Sequence, residues 1–226
     1  MSVFKELIGI WKSKDLLDQA WSETHDMMLL SNEMFDTAIK YLRRGAELKE
    51  IKKLKSRDKV INEYQQNVRK KVLTHFSISN NMNEFPSGLV LLNIVVDVER
   101  LGDYTKNILD LAFHFPKPLV AENYLDELAE LEQDLQLRFP KTISAVDSED
   151  EKLAKELLKS YRNSFASISD KIVNDCISGE HLFGDEKLSA AISLYSRYLK
   201  RLGGHLKNIT TTMLNPYEYI GYRIPK

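Results

Sequence analysis

The chain has 226 residues, 43% hydrophobic and 29% charged, as expected of an ordinary globular protein with one large domain or two smaller repeats. Its formal net charge is −1 at pH 7, which argues against nucleic-acid binding by bulk charge. The single cysteine, Cys176, excludes a disulfide framework and a thiolate metal site, and no apolar run approaches the ~18 residues of a transmembrane helix.

The N-terminal segment, residues 1–13, is amphipathic, with Phe4, Leu7, Ile8 and Trp11 on one side. Two interpretations remain open, namely packing against the rest of the chain and anchoring at a membrane surface. The segment has an acid at Glu6 and no small-residue cleavage site. We therefore expect no signal peptide and a cytoplasmic location.

Apolar residues recur at helical spacing through six long segments, and no segment alternates as a β-strand does. The predicted helices cover about 15–44, 48–76, 88–113, a fourth from 122, a fifth to 178, and 187–214. Gly45 ends the first helix. Pro140 kinks or ends the fourth, and a capping box at residues 148–151 opens the fifth.

Two short stretches occur twice in the chain. Residues 100–108 and 201–209 are identical at six of nine positions, and residues 58–63 resemble residues 170–175. The duplication predicts an all-α fold of two tandem three-helix bundles. We assign residues 14–115 to the first half and 119–214 to the second, followed by an aromatic C-terminal tail, residues 215–226.

Two carboxylates lie one helical turn apart in the first copy, at Glu99 and Asp103. Their row of the helix begins apolar, at Leu92 and Val96, so both carboxylates are expected at the edge of the core. Like charges at this spacing cost an isolated helix a few tenths of a kcal/mol. A bound cation would offset that cost.

The preceding helix supplies Asp58 and Asn62, which can face the two carboxylates across an antiparallel helix pair. Oxygen ligands without histidine or thiolate suit magnesium, calcium, manganese or iron rather than zinc. The alternative is that these are helix-surface carboxylates, paired with Lys59, Arg100 or Lys106. The spacing does not choose between the two interpretations.

Residues 98–108, Val-Glu-Arg-Leu-Gly-Asp-Tyr-Thr-Lys-Asn-Ile, resemble the signature of the phosphate-uptake regulator (PhoU) family. That signature reads Glu-Arg-Ile-Gly-Asp followed by Asn-Ile. The duplicated layout and the preceding Asp-x-x-x-Asn also match, so the resemblance covers nearly the whole chain. It implies two three-helix bundles with pseudo-twofold symmetry. It also implies a metal-binding motif on Glu99 and Asp103, with Asp58 and Asn62 opposite.

The resemblance further implies a cytoplasmic regulator of phosphate transport and phosphate homeostasis. Its expected partners are a phosphate transporter or its ATPase subunit, a sensor histidine kinase, and a second copy in a possible homodimer. Nucleic acid is not among them, and membrane association is expected only through partners. The alternative function is a metal-free helical scaffold for protein interactions.

The second copy departs from the family pattern at two positions. Lys200 occupies the position of Glu99, and Gly204 occupies that of Asp103. A lysine repels a cation and a glycine supplies no ligand, so we expect the second metal site to be lost or weakened.

An enzymatic function finds no support in the sequence. None of the five histidines stands three residues after a glutamate, as a di-iron bundle would require. His25-Asp26 lacks a preceding histidine to complete a metal phosphohydrolase cluster, and His25 is better explained as a core-edge residue. No phosphate loop, nucleophile elbow or kinase signature is present.

The charge is unevenly distributed along the chain. Residues 40–71 hold twelve Lys/Arg against four Asp/Glu, whereas residues 121–156 hold eleven Asp/Glu against four Lys/Arg. These segments are either two solvated helix faces or docking surfaces. For docking, the candidates are the metal face and a basic surface formed by Lys49, Lys52, Lys53, Lys55 and Arg57.

Overall fold

The computed structural model describes residues 16–79, 81–115, 117–121, 124–163, 165–180 and 186–222. These residues form eight α-helices and two short 3₁₀ helices and contain no β-strand, which confirms the all-α prediction. The helices are α1 (Leu16–Arg44), α2 (Leu48–Ser56), α3 (Asp58–Ile78), α4 (Phe85–His114), α5 (Leu125–Asp147), α6 (Glu151–Asn163), α7 (Phe165–Ser178) and α8 (Glu186–Thr211). The amphipathic segment of residues 1–13 lies outside the described residues.

The predicted second helix is interrupted at Arg57 and forms α2 and α3. The Arg57 N–H donates to the carbonyl oxygen of Leu54, three residues earlier, at 3.0 Å. This turn is tighter than that of an α-helix, in which the N–H donates to the carbonyl four residues earlier. Asp58 then begins α3, where its carboxylate lies near the positive end of the new helix dipole. The predicted fifth helix corresponds to two helices, α6 and α7, which lie on either side of residue 164.

The start of α6 differs from the predicted capping box. Asp150, rather than Ser148, accepts the hydrogen bond from the Leu153 N–H, at 3.0 Å. The Ser148 hydroxyl instead donates to the Ser144 carbonyl at the end of α5. Pro140 lies inside α5 and does not end it, whereas Gly45 follows α1 with φ of 81°, as expected of a helix-ending glycine.

One hydrophobic core of buried side chains runs through both halves of the molecule. In the first half α1 packs along α3 and α4, and in the second half α8 packs along α5 and α7. The helices α4 and α8, which carry the two copies of the nine-residue stretch, pack directly against each other. No helix of the described residues is both long and apolar enough to cross a membrane.

Polar side chains join α4 to α8. Asp97 is hydrogen-bonded to His205 Nδ1 at 2.7 Å and accepts a bond from Asn208 at 3.1 Å. The ring of Tyr104 stacks on His205, with centroids 5.6 Å apart. Tyr104 and His205 are equivalent positions of the two copies, so the copies meet at the contact between the halves.

A second buried polar cluster ties α1, α5 and α8 together. The Tyr195 hydroxyl donates to Glu132 at 2.6 Å, and Arg43 pairs with the same carboxylate oxygen at 3.2 Å. Burial raises the pKa of Glu132, although the Tyr195 hydrogen bond and the Arg43 charge act in the opposite direction. Removing one partner of such a buried cluster would leave an uncompensated polar group.

The C-terminal tail folds back on α4 and α8. It contains the 3₁₀ turn Tyr217–Tyr219, and the Tyr217 hydroxyl accepts a hydrogen bond from Asn93 at 2.9 Å. The Lys207 ammonium donates to the Gly221 carbonyl at 2.8 Å. The described part of the tail is therefore attached to the bundle by side-chain and backbone hydrogen bonds.

Candidate functional site

Gly102 on α4 lies at a close contact between α3 and α4. A Cβ at this position would lie 2.8 Å from Ile61 Cδ1 and 3.5 Å from Asp58 Oδ1. Because glycine carries no side chain, α3 can approach closely enough to place Asp58 beside the signature of α4.

The acidic cluster consists of Asp58 on α3 and Glu99 and Asp103 on α4. The Lys106 ammonium joins the two helices, since it donates to Asp58 Oδ2 at 2.7 Å and to Asp103 Oδ1 at 3.2 Å. Burial lowers the pKa of Lys106, but its hydrogen bonds to Asp58 and Asp103 outweigh burial, so the pKa is raised. Asn62 donates to the same Asp58 oxygen at 3.3 Å.

Glu99 and Asp103 share a second cation, Arg100. Its guanidinium lies 2.8 Å from Asp103 Oδ2 and 3.5 Å from Glu99 Oε2. Burial raises the pKa of Glu99, the Asp103 and Asp58 carboxylates add to the rise, and the Arg100 charge opposes it. The ionised form of Glu99 is thus the least compensated charge of the acidic cluster.

The acidic cluster has donor chemistry that fits a hard cation, because all its ligands would be oxygens. Asp58 is only 7% exposed, and its Oδ1 atom is buried without a hydrogen-bond partner, so a cation there would satisfy it. In the conformation described, however, ammonium and guanidinium groups pair with Asp58 Oδ2, with both oxygens of Asp103 and with Glu99 Oε2. No three His, Cys, Asp or Glu side chains among the described residues are arranged to hold a metal. Metal binding by Glu99, Asp103, Asp58 and Asn62 therefore stays a prediction.

The corresponding place in the second half is occupied by a lysine. Lys200 Nζ lies 2.6 Å from each carboxylate oxygen of Asp170, and Arg197 adds a contact at 3.1 Å. Asp175 accepts a hydrogen bond from the Tyr124 hydroxyl at 2.6 Å. The second half thus forms salt bridges where the first copy of the stretch carries Glu99 and Asp103.

The basic surface predicted on the second helix divides into two kinds of residue. Lys55 pairs with Asp110, and Arg57 forms a two-pronged ion pair with Glu33 at 2.6 and 2.9 Å. The remaining lysines are exposed to solvent: Lys49, Lys52 and Lys53. These three are the exposed members of the predicted set of five, and we restrict the name basic surface to them from here on.

His25 lies at the edge of a cleft of about 710 Å³, lined by Trp21, Ile94 and Met213 among others. Its Nδ1 atom is hydrogen-bonded to Asp147 at 2.8 Å. This position agrees with its interpretation as a core-edge residue. Cys176 is partly buried and packs against the core, as expected of a small hydrophobic residue.

The sequence identified the residues of the acidic cluster and named Lys59, Arg100 and Lys106 as candidate partners, of which Arg100 and Lys106 do pair with it. Lys106 was one of three candidate partners, and its bridge from α4 to Asp58 depends on the distance between the helices. The pairing of Lys55 and Arg57 also went unrecognised. An acid at i+4 would have signalled such a pair, but their partners lie on α1 and α4.

Comparison with known proteins supports the resemblance seen in the signature. Residues 24–112 match the PhoU domain family. The fold is similar to the crystal structure of PhoU from Pseudomonas aeruginosa, with a TM-score of 0.75 and 17% sequence identity over 88% of this chain and 95% of that one. No curated protein sequence matches the chain significantly.

Proposed function

We propose, from the PhoU domain that the chain carries at residues 24–112, that it is a non-catalytic regulatory adaptor of phosphate transport. In this proposal it acts in the cytoplasm by docking to a phosphate transporter or its ATPase subunit, or to a sensor histidine kinase. The observation that carries the proposal is the extent of the likeness. The PhoU fold continues well beyond the matched domain, over 88% of the chain.

The basic surface is the docking site that we propose. Lys49, Lys52 and Lys53 are exposed on α2, and Lys52 lies 5.3 Å above the ring of Phe113. An acidic partner surface would be attracted by these charges, which would speed association at low salt. The attraction would fall with ionic strength, since the screening length is about 8 Å at physiological salt.

Charge reversal tests the docking site. The variant Lys49→Glu/Lys52→Glu/Lys53→Glu should lose at least tenfold in affinity for the transporter ATPase or the sensor kinase of the same cell, because three attractive contacts become repulsive. Affinity is measured by biolayer interferometry at two salt concentrations. The wild-type affinity should fall with salt more steeply than that of the variant.

The matched control reverses three lysines on the short helix α6, Lys152→Glu/Lys155→Glu/Lys159→Glu. All three are exposed, and the change in net charge is the same. If the control weakens binding as much as the α2 variant, the effect comes from total charge and the docking site is misplaced. If neither protein binds the wild-type chain, the adaptor proposal itself fails.

The proposal includes a cation at the acidic cluster, held by Glu99, Asp103, Asp58 and Asn62. The metal is iron, magnesium, manganese or calcium, each of which takes oxygen ligands. The buried Asp58 Oδ1 atom supports this part of the proposal. A bound cation could also contact carboxylates of a partner, which makes the metal face a second candidate for docking.

The metal-free scaffold is the competing function. The ion pairs of Lys106 and Arg100 favour it, because they already compensate the acidic cluster. Elemental analysis of the untagged protein, purified without chelator, separates the two functions. Metal present in wild type and absent from Glu99→Gln/Asp103→Asn supports the cation site. Absence of metal from wild type supports the metal-free scaffold, and equal metal in both proteins places the metal elsewhere.

A further inference from the structure

We infer that Lys106 is a built-in competitor for the cation of the acidic cluster, so that a metal enters only by displacing the lysine ammonium. This inference rests on the cation site of the proposed function and describes how that site is regulated. It follows from the position of one side chain, from the charge of the acidic cluster, and from a comparison of the two halves.

The position of Lys106 is the first argument. Its ammonium contacts Asp58 on α3 at 2.7 Å and Asp103 on α4 at 3.2 Å. A metal that bridges α3 and α4 would use the same two carboxylates. Ammonium and metal therefore compete for shared oxygen atoms, and both cannot bind these oxygens at full strength.

The charge of the acidic cluster is the second argument. Asp58, Glu99 and Asp103 contribute three negative charges when ionised, and Lys106 and Arg100 contribute two positive ones. The acidic cluster then carries a net charge of −1, which binds a divalent cation weakly. Without the lysine charge it becomes −2, which a divalent cation neutralises.

Arg100 is a weaker competitor than Lys106. Its side chain is 52% exposed, whereas that of Lys106 is 29% exposed and reaches the buried carboxylate of Asp58. Arg100 can turn into solvent at small cost, because an exposed ion pair contributes little to stability. Lys106 has to leave a partly buried position between two helices, so the cost of displacing Lys106 lowers the affinity for a metal more than that of displacing Arg100.

The second half provides the third argument. Asp170, the counterpart of Asp58, is also neutralised by a lysine, but that lysine is Lys200. The position equivalent to Lys106 is Lys207, which donates to Gly221 instead. In each half a lysine thus neutralises the equivalent aspartate, but the two lysines stand at different positions of their helices. The neutralisation is therefore not a simple copy made by the duplication.

The two lysines differ in one respect that makes a control possible. Lys200 stands at the position of Glu99 and so replaces a ligand, whereas Lys106 takes the position of none of the predicted ligands. Removing the Lys106 charge therefore leaves a complete set of oxygen donors. Removing the Lys200 charge does not create a complete site, because the second half has no carboxylate at the positions equivalent to Glu99 and Asp103.

The experiment titrates Mn²⁺ into full-length wild type, Lys106→Met and Lys200→Met by isothermal titration calorimetry. Wild type and Lys106→Met are also titrated with Glu99→Gln/Asp103→Asn added. We expect Lys106→Met to bind one Mn²⁺ at least tenfold more tightly than wild type, and Lys200→Met to bind it like wild type. Thermal unfolding gives a second readout. Without metal, Lys106→Met should melt at a lower temperature than wild type, because Asp58 keeps its buried charge without the ammonium. Mn²⁺ should raise that temperature more in Lys106→Met than in wild type.

Equal affinity of wild type and Lys106→Met, abolished in both by Glu99→Gln/Asp103→Asn, would overturn the competition and leave the cation site standing. Binding to Lys106→Met that survives Glu99→Gln/Asp103→Asn would place the metal elsewhere and overturn both. Absence of binding in every protein would also overturn both. If Lys106→Met does not fold, Lys106→Gln replaces it, since glutamine keeps an N–H donor but removes the charge.

Discussion

At the scale of single residues, Glu99 is the group whose charge is least compensated. Its carboxylate lies one helical turn from Asp103, and the Arg100 guanidinium approaches it only to 3.5 Å. Burial and the two neighbouring carboxylates raise the pKa of Glu99 above its ordinary value. The folded state therefore binds a proton at Glu99 more readily than the unfolded state does, and the ionised form costs stability at neutral pH.

We predict that Glu99→Gln stabilises the metal-free protein at pH 7. The expected gain is about 0.5 kcal/mol, the usual size of a like-charge repulsion across one helical turn. The gain should fade as the pH falls through the raised pKa of Glu99 towards 4.5, because wild-type Glu99 then becomes protonated too. Urea denaturation at pH 7 and pH 4.5, with chelator present, measures both values. A loss of stability at pH 7 would mean that the arginine contacts of Glu99 outweigh the repulsion.

Residues also show where sequence reasoning reaches its limit. The spacing of Glu99 and Asp103 placed both on one helix face, and the matching Asp58 placed a third carboxylate opposite, because helical periodicity fixes these directions. The pairs of Asp103 with Arg100 and Lys106 follow the i,i+3 spacing of a helix, whereas the bridge from Lys106 to Asp58 was not predictable. Lys59, Arg100 and Lys106 are all within a few positions, and only the separation of α3 and α4 decides that Lys106 reaches Asp58.

At the scale of helices, Gly102 allows α3 and α4 to approach closely beside the acidic cluster. A glycine inside a helix costs about 1 kcal/mol relative to alanine. Here a Cβ would lie 2.8 and 3.3 Å from two atoms of Ile61, which is fully buried. The close approach therefore offsets the low helix propensity of glycine at this position.

We predict that Gly102→Ala lowers the free energy of unfolding by about 1 kcal/mol. Overpacking against Ile61 costs about 1–3 kcal/mol, and the gain in helix propensity recovers only part of it. Gly204→Ala is the control, because the nearest atom to its Cβ would be the Tyr161 hydroxyl at 3.8 Å, an ordinary contact. Gly204→Ala should be neutral or more stable than wild type. Equal effects of the two substitutions in chemical denaturation would contradict the role assigned to Gly102.

Helix boundaries show a similar division between what the sequence predicts and what it does not. The apolar stripes predicted α1, α4 and α8 within a few residues, since a long periodic pattern has one structural interpretation. The break at Arg57 was missed because the apolar pattern continues across it, from Leu54 to Ile61. The N-cap residue of α6 is Asp150 and not the predicted Ser148. Serine and aspartate are equally good helix caps, so the sequence alone does not rank them.

At the scale of the whole molecule, the two predicted halves share one core. The helices α4 and α8 lie against each other, and the buried cluster of Arg43, Glu132 and Tyr195 connects α1 with α5 and α8. The boundaries assigned to the halves remain a prediction about duplication. The two halves therefore pack as one body. A structural change at the acidic cluster would reach α8 through the contact between α4 and α8.

The central claim is that the chain regulates phosphate transport, and phosphate uptake in cells tests it most directly. Initial rates of radiolabelled phosphate uptake are measured at high and low external phosphate in parent cells, in cells lacking the chain, and in cells complemented with wild type or with the Lys49→Glu/Lys52→Glu/Lys53→Glu variant. We predict that loss of the chain removes the dependence of uptake on external phosphate. Wild type should restore that dependence, whereas the variant should not. Uptake that responds to phosphate in cells lacking the chain as it does in the parent would contradict the claim.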